Sequence, residues 1–393
     1  MNQAIFSEFV WQHRNDDPHQ LALSGKQHPD IPVAQAAAQV QALQKIRTKI
    51  PSWYRSGMLF PFTLSVEQSS SEQTAQYKAH LFAGKKMADL TGGMGVDAYF
   101  FAQQFESLTY VEQNEVLAAA TQHNFTQLGL SHVQFENRDA LDFLQHTEQY
   151  FDLIYLDPAR RDDRKGKVFQ LSDCSPNILN IKPLMFEKTS QILVKTAPLL
   201  DLRQAVLQLE NVAHIWVVAA EGECREVLYL LRTDAPPTDQ IPITAVHLRG
   251  ALQQAFTFNW ATEQAAEVRL SLPQTYLYEP NAAVLKAGAF RSFGAQYGLG
   301  KMHANTHLYT SAGLQPDVPA RSFVVEQVCK YDRKVVQAAV PGGQANIACR
   351  NFPDSPEQVR RTLGLRDGGA VYIFAATDMA EHKVILIGRK TEQ

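Results

Sequence analysis

The feature that most constrains this chain is an alternation of strand-like and helix-like segments between residues 86 and 232. Short apolar runs recur as KMADL (86–90), SLTYVEQ (107–113), VQFEN (133–137), FDLIYLDP (151–158), QILVKTA (191–197), HIWVVAA (214–220) and REVLYLLR (225–232). Amphipathic segments fill most of the gaps, at 95–104, 114–128, 176–188 and 200–210. Such alternation requires crossover connections, and hence a parallel, doubly wound α/β sheet covered by helices. The last two runs break the pattern. Only EGEC separates them, too short for a helix, so the final strand must return antiparallel in a hairpin. Six parallel strands and one antiparallel partner are expected.

Other segments frame this core. Residues 1–80 read as a helical region: PVAQAAAQVQALQKIRTKI (32–50) is rich in helix formers and Pro51 stops it. SVEQSSSEQTAQYKAHLF (65–82) reads as one capped helix, with a Ser of the 69–71 run as cap. The core then spans 81–233, up to the Pro- and Asp-rich boundary TDAPPTDQIP. Beyond it, 234–315 reads as a small α+β domain of ferredoxin-like type, and 316–393 as a further small unit. Four scattered cysteines form no CxxC pair, so neither a zinc site nor a disulfide framework is expected, and a reducing cytoplasm fits. The first residues lack a basic start followed by an apolar core, and no run is long enough to span a membrane. Net charge is −3, but residues 280–393 hold 14 Lys and Arg against 9 Asp and Glu, so the basic end is C-terminal.

Chemistry concentrates at strand ends. The first strand runs into DLTGGMGVD, a glycine turn of the kind that cradles nucleotide-like ligands. Gly93 and Gly95 give a G-x-G, but Ala98 stands where a dinucleotide fingerprint wants its third glycine. Asp89, just before the turn, would repel a pyrophosphate and suits a ligand bearing an ammonium; S-adenosylmethionine has that group and a sulfonium. Thr91, Gly93 and Gly95 follow at even spacing. Glu112 ends the second strand, where a carboxylate accepts both hydroxyls of a ribose. Asp139, followed by Ala140, comes after the third strand, where an acid accepts an adenine amino proton. The fourth strand ends in Asp157, Pro158, Ala159 and Arg160, a place that faces the transferred group across the crevice.

In motif order and in its antiparallel last strand, 87–232 resembles class I S-adenosylmethionine-dependent methyltransferases, with their Rossmann-like seven-stranded core. DLTGGMGVDAYFFA, YVEQN and IYLDP look like ribosomal RNA guanine-N2 methyltransferases and, more distantly, RNA cap hypermethylases. EQSSSEQTAQYKA, DLTGGMGVD, LDPARR, YLYEPN and RNFP, spread over nearly the whole length, resemble bacterial class I methyltransferases with a C-terminal THUMP-like domain. The resemblance implies S-adenosylmethionine as donor and 316–393 as the THUMP-like unit. THUMP domains proper deliver RNA to modification enzymes, so tRNA or rRNA is the implied partner, with no metal and no membrane.

The acceptor side departs from the common pattern. Amino-group methyltransferases of bases usually carry (D/N/S)PP(Y/F/W); here Asp157 and Pro158 are kept and the aromatic is replaced. Asp157 and the Pro158 carbonyl would orient an amine, and Arg160 would stack on a base or grip a phosphate. The loop DPARRDDRKGKVFQLSD reads either as solvated surface or as a phosphate-gripping lid, with Arg161 a substrate contact. Lys195, ending the fifth strand, points into the crevice, to neutralise Asp157 or touch a phosphate. Lys78 or a Ser of 69–71 is expected to meet the methionine carboxylate, with a plain helix cap as the alternative. Cys174 reads as an incidental thiol rather than a nucleophile. Tyr276 and Tyr278 read as core or stacking aromatics, and CKYDRK and RNFP as candidate RNA contacts. A protein or small-molecule acceptor, or a non-catalytic RNA-binding protein of this fold, are the alternatives.

Overall fold

In a computed structural model, residues 3–160 and 171–391 are described, and they divide into two compact units. The first comprises 1–213 with 226–235, the second 214–225 with 236–393.

The first unit opens with helices α1 (Gln3–Gln12), α2 (Pro18–Leu23), α3 (Val33–Lys49), α4 (Thr63–Gln68) and α5 (Glu72–His80). α3 ends just before Pro51, as its missing N–H and ring clash dictate. The capped helix expected within 65–82 is α5, and the short helix α4 precedes it. The break falls at Ser69-Ser70-Ser71, whose short hydroxyls compete for backbone groups. Ser69 bonds back to the Val66 carbonyl, and Ser71 caps α5 by accepting the Thr74 N–H. Ser70 is thereby freed to turn inward.

The core then alternates as the patterning demands: β1 (Gly84–Asp89), α6 (Val96–Phe101), β2 (Phe105–Val111), α7 (Glu115–Gln127), β3 (Val133–Glu136), α8 (Ala140–His146), β4 (Leu153–Leu156), α9 (Ile178–Lys188), β5 (Gln191–Thr196), α10 (Leu202–Leu209), β6 (Val212–Ala220) and β7 (Glu223–Arg232). β1 pairs in parallel with β2 and β4, β2 with β3, and β4 with β5. β7 lies antiparallel against β5, in the register Gln191↔Arg232 to Thr196↔Val227. All four β4 residues are buried, as expected of a strand with helices on both faces. The parallel order brings the C-terminal ends of β1, β2, β3, β4 and β5 to one edge, and the motifs with them.

In the second unit the turn Glu221–Gly222, with both φ positive, reverses the chain between β6 and β7. β6 residues 215–220 pair in parallel with β8 (Ile243–Arg249), which makes a hairpin with β9 (Leu252–Phe258). These two strands lie beyond the core expected from the sequence, and TDAPPTDQIP is the connection that precedes them. A second sheet holds β10 (Tyr276–Pro280), β11 (Gly300–His303), β12 (Thr306–Ser311), β13 (Ala320–Lys330), β14 (Gln344–Arg350), β15 (Arg366–Thr377) and β16 (Lys383–Lys390), in the order β11-β12-β10-β13-β16-β15-β14. Strands on both sides of position 316 thus share one sheet. Val336, Val359, Leu363, Ile373 and Ile385 form an apolar cluster. Tyr278 is fully buried and its hydroxyl bonds Ser311, so it is core. Arg350 of RNFP pairs with the buried Glu279 of YLYEPN, as does Arg321. No helix among the described residues is long and apolar enough to cross a membrane.

Candidate active site

A cavity of about 560 Å³ opens at the strand ends of the first unit. That is within the range of small-molecule and cofactor sites, about 300–1,000 Å³. Asp89, Thr91, Gly93, Gly95, Glu112, Asp139, Ala140, Asp157 and Lys195, all singled out in the sequence, line it together. So do Ser65, Ser69 and Ser70, from α4 and the break after it.

The glycine turn is shaped by packing. A Cβ on Gly92 would lie 2.2 Å from the Tyr110 ring, and one on Gly95 would lie 2.5 Å from the Thr121 methyl, with φ at +77 besides. Gly93 differs: its φ is +54, yet a Cβ there would meet nothing closer than the Thr91 carbonyl, at 3.7 Å. The space in front of Gly93 is therefore open to a ligand. The Tyr110 and Thr121 hydroxyls both donate to the Gly93 carbonyl and hold the turn from behind. Glu112 accepts the Gly93 and Asn114 N–H groups, at 2.9 and 2.8 Å, one on each carboxylate oxygen. Each oxygen keeps a lone pair for a further donor. Asp139 caps α8 through one oxygen, accepting the Leu141 and Asp142 N–H groups.

Asp89 is 1 % exposed, and Thr91 donates to it through its N–H and its hydroxyl. Burial pushes its carboxyl up to about 8, with the Thr91 bond opposing and Asp97 and Asp157 adding to the rise. A buried carboxylate is the acceptor that an ammonium-bearing ligand satisfies.

Behind this wall lies a group of buried charges. The Lys195 ammonium lies 2.6 Å from Asp157, 3.0 Å from Ser70 and 3.4 Å from Asp97. Asp97 also accepts from the Tyr155 hydroxyl at 2.7 Å and from Ser70 at 3.0 Å. Lys78 sits deeper, at 0 % exposure, 2.7 Å from Glu226, 3.1 Å from Asp97 and 3.0 Å from Ser70. Burial alone would raise the Asp97 carboxyl, but Lys78 and Lys195, with the Tyr155 and Ser70 bonds, hold it well below the usual carboxylate range. Thr91 ties the two halves of the site: its hydroxyl accepts the Asp157 N–H at 2.7 Å.

Two relatives in Mycobacterium tuberculosis strains, each named an uncharacterized S-adenosylmethionine-dependent methyltransferase, are 23% identical over 306 residues, 77% of this chain and 80% of theirs. A Porphyromonas gingivalis W83 protein whose crystal structure carries a methyltransferase assignment is 32% identical, with a TM-score of 0.90, over 99% of this chain and 98% of its own. The chain belongs to the S-adenosylmethionine-dependent methyltransferases. Its methyl donor is S-adenosylmethionine, as the acids and glycines around the cavity led us to expect. A ferredoxin-like domain family matches residues 276–319 of the methyltransferase, and a THUMP domain-like family matches 320–390.

Some expected site residues fall elsewhere. Lys78 is not among the residues that line the cavity; its ammonium binds Glu226, Asp97 and Ser70 instead. Ser69 and Ser70 do line the cavity. Pro158 follows Asp157 in the loop after β4, half-buried. Arg160 lies in a two-residue strand paired with Cys174 and Ser175, but its side chain lies outside the described residues, as do Arg161 and the rest of 161–170. Cys174 is buried, as expected of an incidental thiol. Asp97, Tyr155 and Glu226 escaped the sequence reading. A trace of Glu226 was legible, as a lone acid inside the apolar run REVLYLL.

Proposed function

We propose that this methyltransferase methylates structured RNA, tRNA or rRNA, at the Asp157–Pro158 turn. The single observation that carries the reading is the cavity in which Asp89, Gly93, Glu112, Asp139 and Asp157 meet in one unit of a chain that also bears a THUMP-like domain. Asp89 would pair with the donor's ammonium and Gly93 would let its backbone approach. Glu112 would accept from the ribose, and Asp139 and Ala140 would border the adenine. Ser69, on turning its hydroxyl from the Val66 carbonyl, would make the carboxylate contact expected of Lys78 or a Ser of 69–71. S-adenosylmethionine supplies a methyl already activated on a sulfonium, so the protein's task is positioning and exclusion of water. Asp157 would orient the acceptor, and Arg160 and Arg161 would contact the RNA.

By itself, an Asp-Pro turn suits a nucleobase nitrogen, with the carboxylate and the Pro158 carbonyl accepting amine protons. The lysine bound to Asp157 at 2.6 Å favours a second acceptor, a hydroxyl oxygen. The test of the RNA reading is mass spectrometry of nucleosides from a strain lacking the gene against wild type. Loss of a methylated nucleoside is expected; identical profiles, with methyl transfer to a protein or metabolite instead, would overturn the reading. A reducing cytoplasm suits both the partner and the four cysteines, none of them in a disulfide.

A further inference from the structure

Five side chains from five separate elements alternate in charge from the cavity into the interior behind it. Glu226 of β7 binds Lys78 of α5 at 2.7 Å, and Lys195 of β5 binds Asp157 after β4 at 2.6 Å. Asp97 of α6 stands between the two lysines, at 3.1 Å from Lys78 and 3.4 Å from Lys195. Asp157 and Lys195 reach the cavity; Lys78 and Glu226 do not. The other cation on the cavity wall, Arg138, is tied to Glu136 and Asp142, beside Asp139. Among the described residues, Lys195 is therefore the cation beside Asp157, where the methyl would change hands.

An amine acceptor has no use for that cation. Its nitrogen attacks with a lone pair and becomes more positive as the methyl arrives, which a fixed ammonium opposes. A hydroxyl is the reverse case. It is a poor nucleophile while it keeps its proton, and it improves as a carboxylate takes that proton and a cation steadies the charge left on oxygen. Burial disfavours the Lys195 charge, but Asp157, Asp97 and Glu226 outweigh burial, so the lysine serves as that cation and not as a base.

We propose that the acceptor atom is a hydroxyl oxygen, which in RNA is the ribose 2′-oxygen, with Asp157 taking its proton and Lys195 steadying the oxygen. The proposal rests on the RNA reading above. The hydroxyl proton passes to the Asp157 carboxylate while an oxygen lone pair forms the O–CH3 bond. The pair of the breaking S–CH3 bond returns to sulfur, and Asp157 later gives the proton to solvent. Lys195 keeps its three protons throughout. It has a donor to lend: its longest contact, 3.4 Å, is to Asp97 Oδ2, which also accepts from Tyr155 and Ser70. Turning that N–H to the substrate leaves the Asp97 oxygen with two donors.

The test uses the full-length protein, RNA from a strain lacking the gene, and S-adenosylmethionine labelled in its methyl group. Alkali cleaves RNA only beside a free 2′-hydroxyl, so 2′-O-methylation leaves the label in alkali-resistant dinucleotides, which is the result expected. Label in mononucleotides means a methylated base and overturns the hydroxyl proposal while sparing the RNA reading. No label in RNA, from protein that binds S-adenosylhomocysteine by calorimetry, overturns the RNA reading itself. Lys195→Met should slow transfer by roughly 100-fold or more. Its S-adenosylhomocysteine affinity should stay within about threefold of wild type, because no cofactor contact is assigned to Lys195. Lys195→Arg should recover part of the rate. An unchanged rate in the Met variant refutes the role of the lysine, and the position of the label in wild-type product decides the acceptor even if that variant fails to fold.

Discussion

Titrating S-adenosylhomocysteine, which keeps the donor's ammonium, into the protein should show an affinity that climbs steeply with pH, because Asp89 must lose a proton to meet that group. In the free protein the carboxyl is pushed up to about 8 by burial. At about pH 6 only about one molecule in a hundred then carries it ionised, and at about pH 8 about half do. If the ammonium pairs with the ionised form alone, the association constant rises about 50-fold over that range, about 2.3 kcal/mol. An α-amino group is still about half protonated at about pH 8, so the ligand's own titration trims the rise to about 25-fold and does not hide it. Calorimetry in two buffers of different ionisation enthalpy should also detect close to one proton released per ligand at about pH 6–7. Asp89→Asn should bind more weakly and lose the slope. A flat profile in wild type, or an equally steep one in the Asn variant, would refute the reasoning. The same group sets a stability trend of opposite sign. Its folded value is raised, so the stability it contributes is full below the ordinary carboxylate range and lost as pH rises through about 8. The ligand-free protein should therefore melt lower at about pH 8 than at about pH 6, and the ligand should restore most of the difference.

Other expectations follow from the same geometry. Lys78→Met leaves Glu226 and Asp97 buried without their shared cation; it should cost about 3–5 kcal/mol in a denaturant melt, and adding Glu226→Leu should recover part of that. Gly93→Ala meets open space but keeps a left-handed φ, so stability should fall by about 1–2 kcal/mol. The same variant should weaken S-adenosylhomocysteine binding at least about tenfold, because the new methyl stands in the cavity. Glu112→Ala removes the acceptor of two backbone N–H groups; calorimetry and a thermal melt should both register it, the melt by about 1–3 kcal/mol. Asp157→Asn should abolish most transfer while leaving S-adenosylhomocysteine affinity near wild type, and a parallel loss of both would reassign Asp157 to cofactor binding.

Much of the site was legible because it is built from strand ends. Asp89, Gly93, Gly95, Glu112, Asp139 and Asp157 each follow an apolar run, and a parallel sheet brings such ends to one edge whatever the loops between them do. The antiparallel β7 was legible for an equally local reason: EGEC leaves no room for a crossover. The partners of Lys78 were not legible because its neighbourhood is not local. Its partner Glu226 lies 148 residues away, and nothing near either residue in the chain announces the other. Ser70 was legible as a cap or a cavity residue, not as the hydroxyl that two lysines share and that bonds Asp97. The two-strand extension of β6 was hidden too, since a strand's partner depends on which edge stays open once the core has formed. Periodicity and turn chemistry act over a few residues, so the sequence by itself determined the elements, their order and the strand-end acids. Charge pairing in a buried interior acts through space, so only the tertiary structure decided which lysine faces the cavity and which lies behind it.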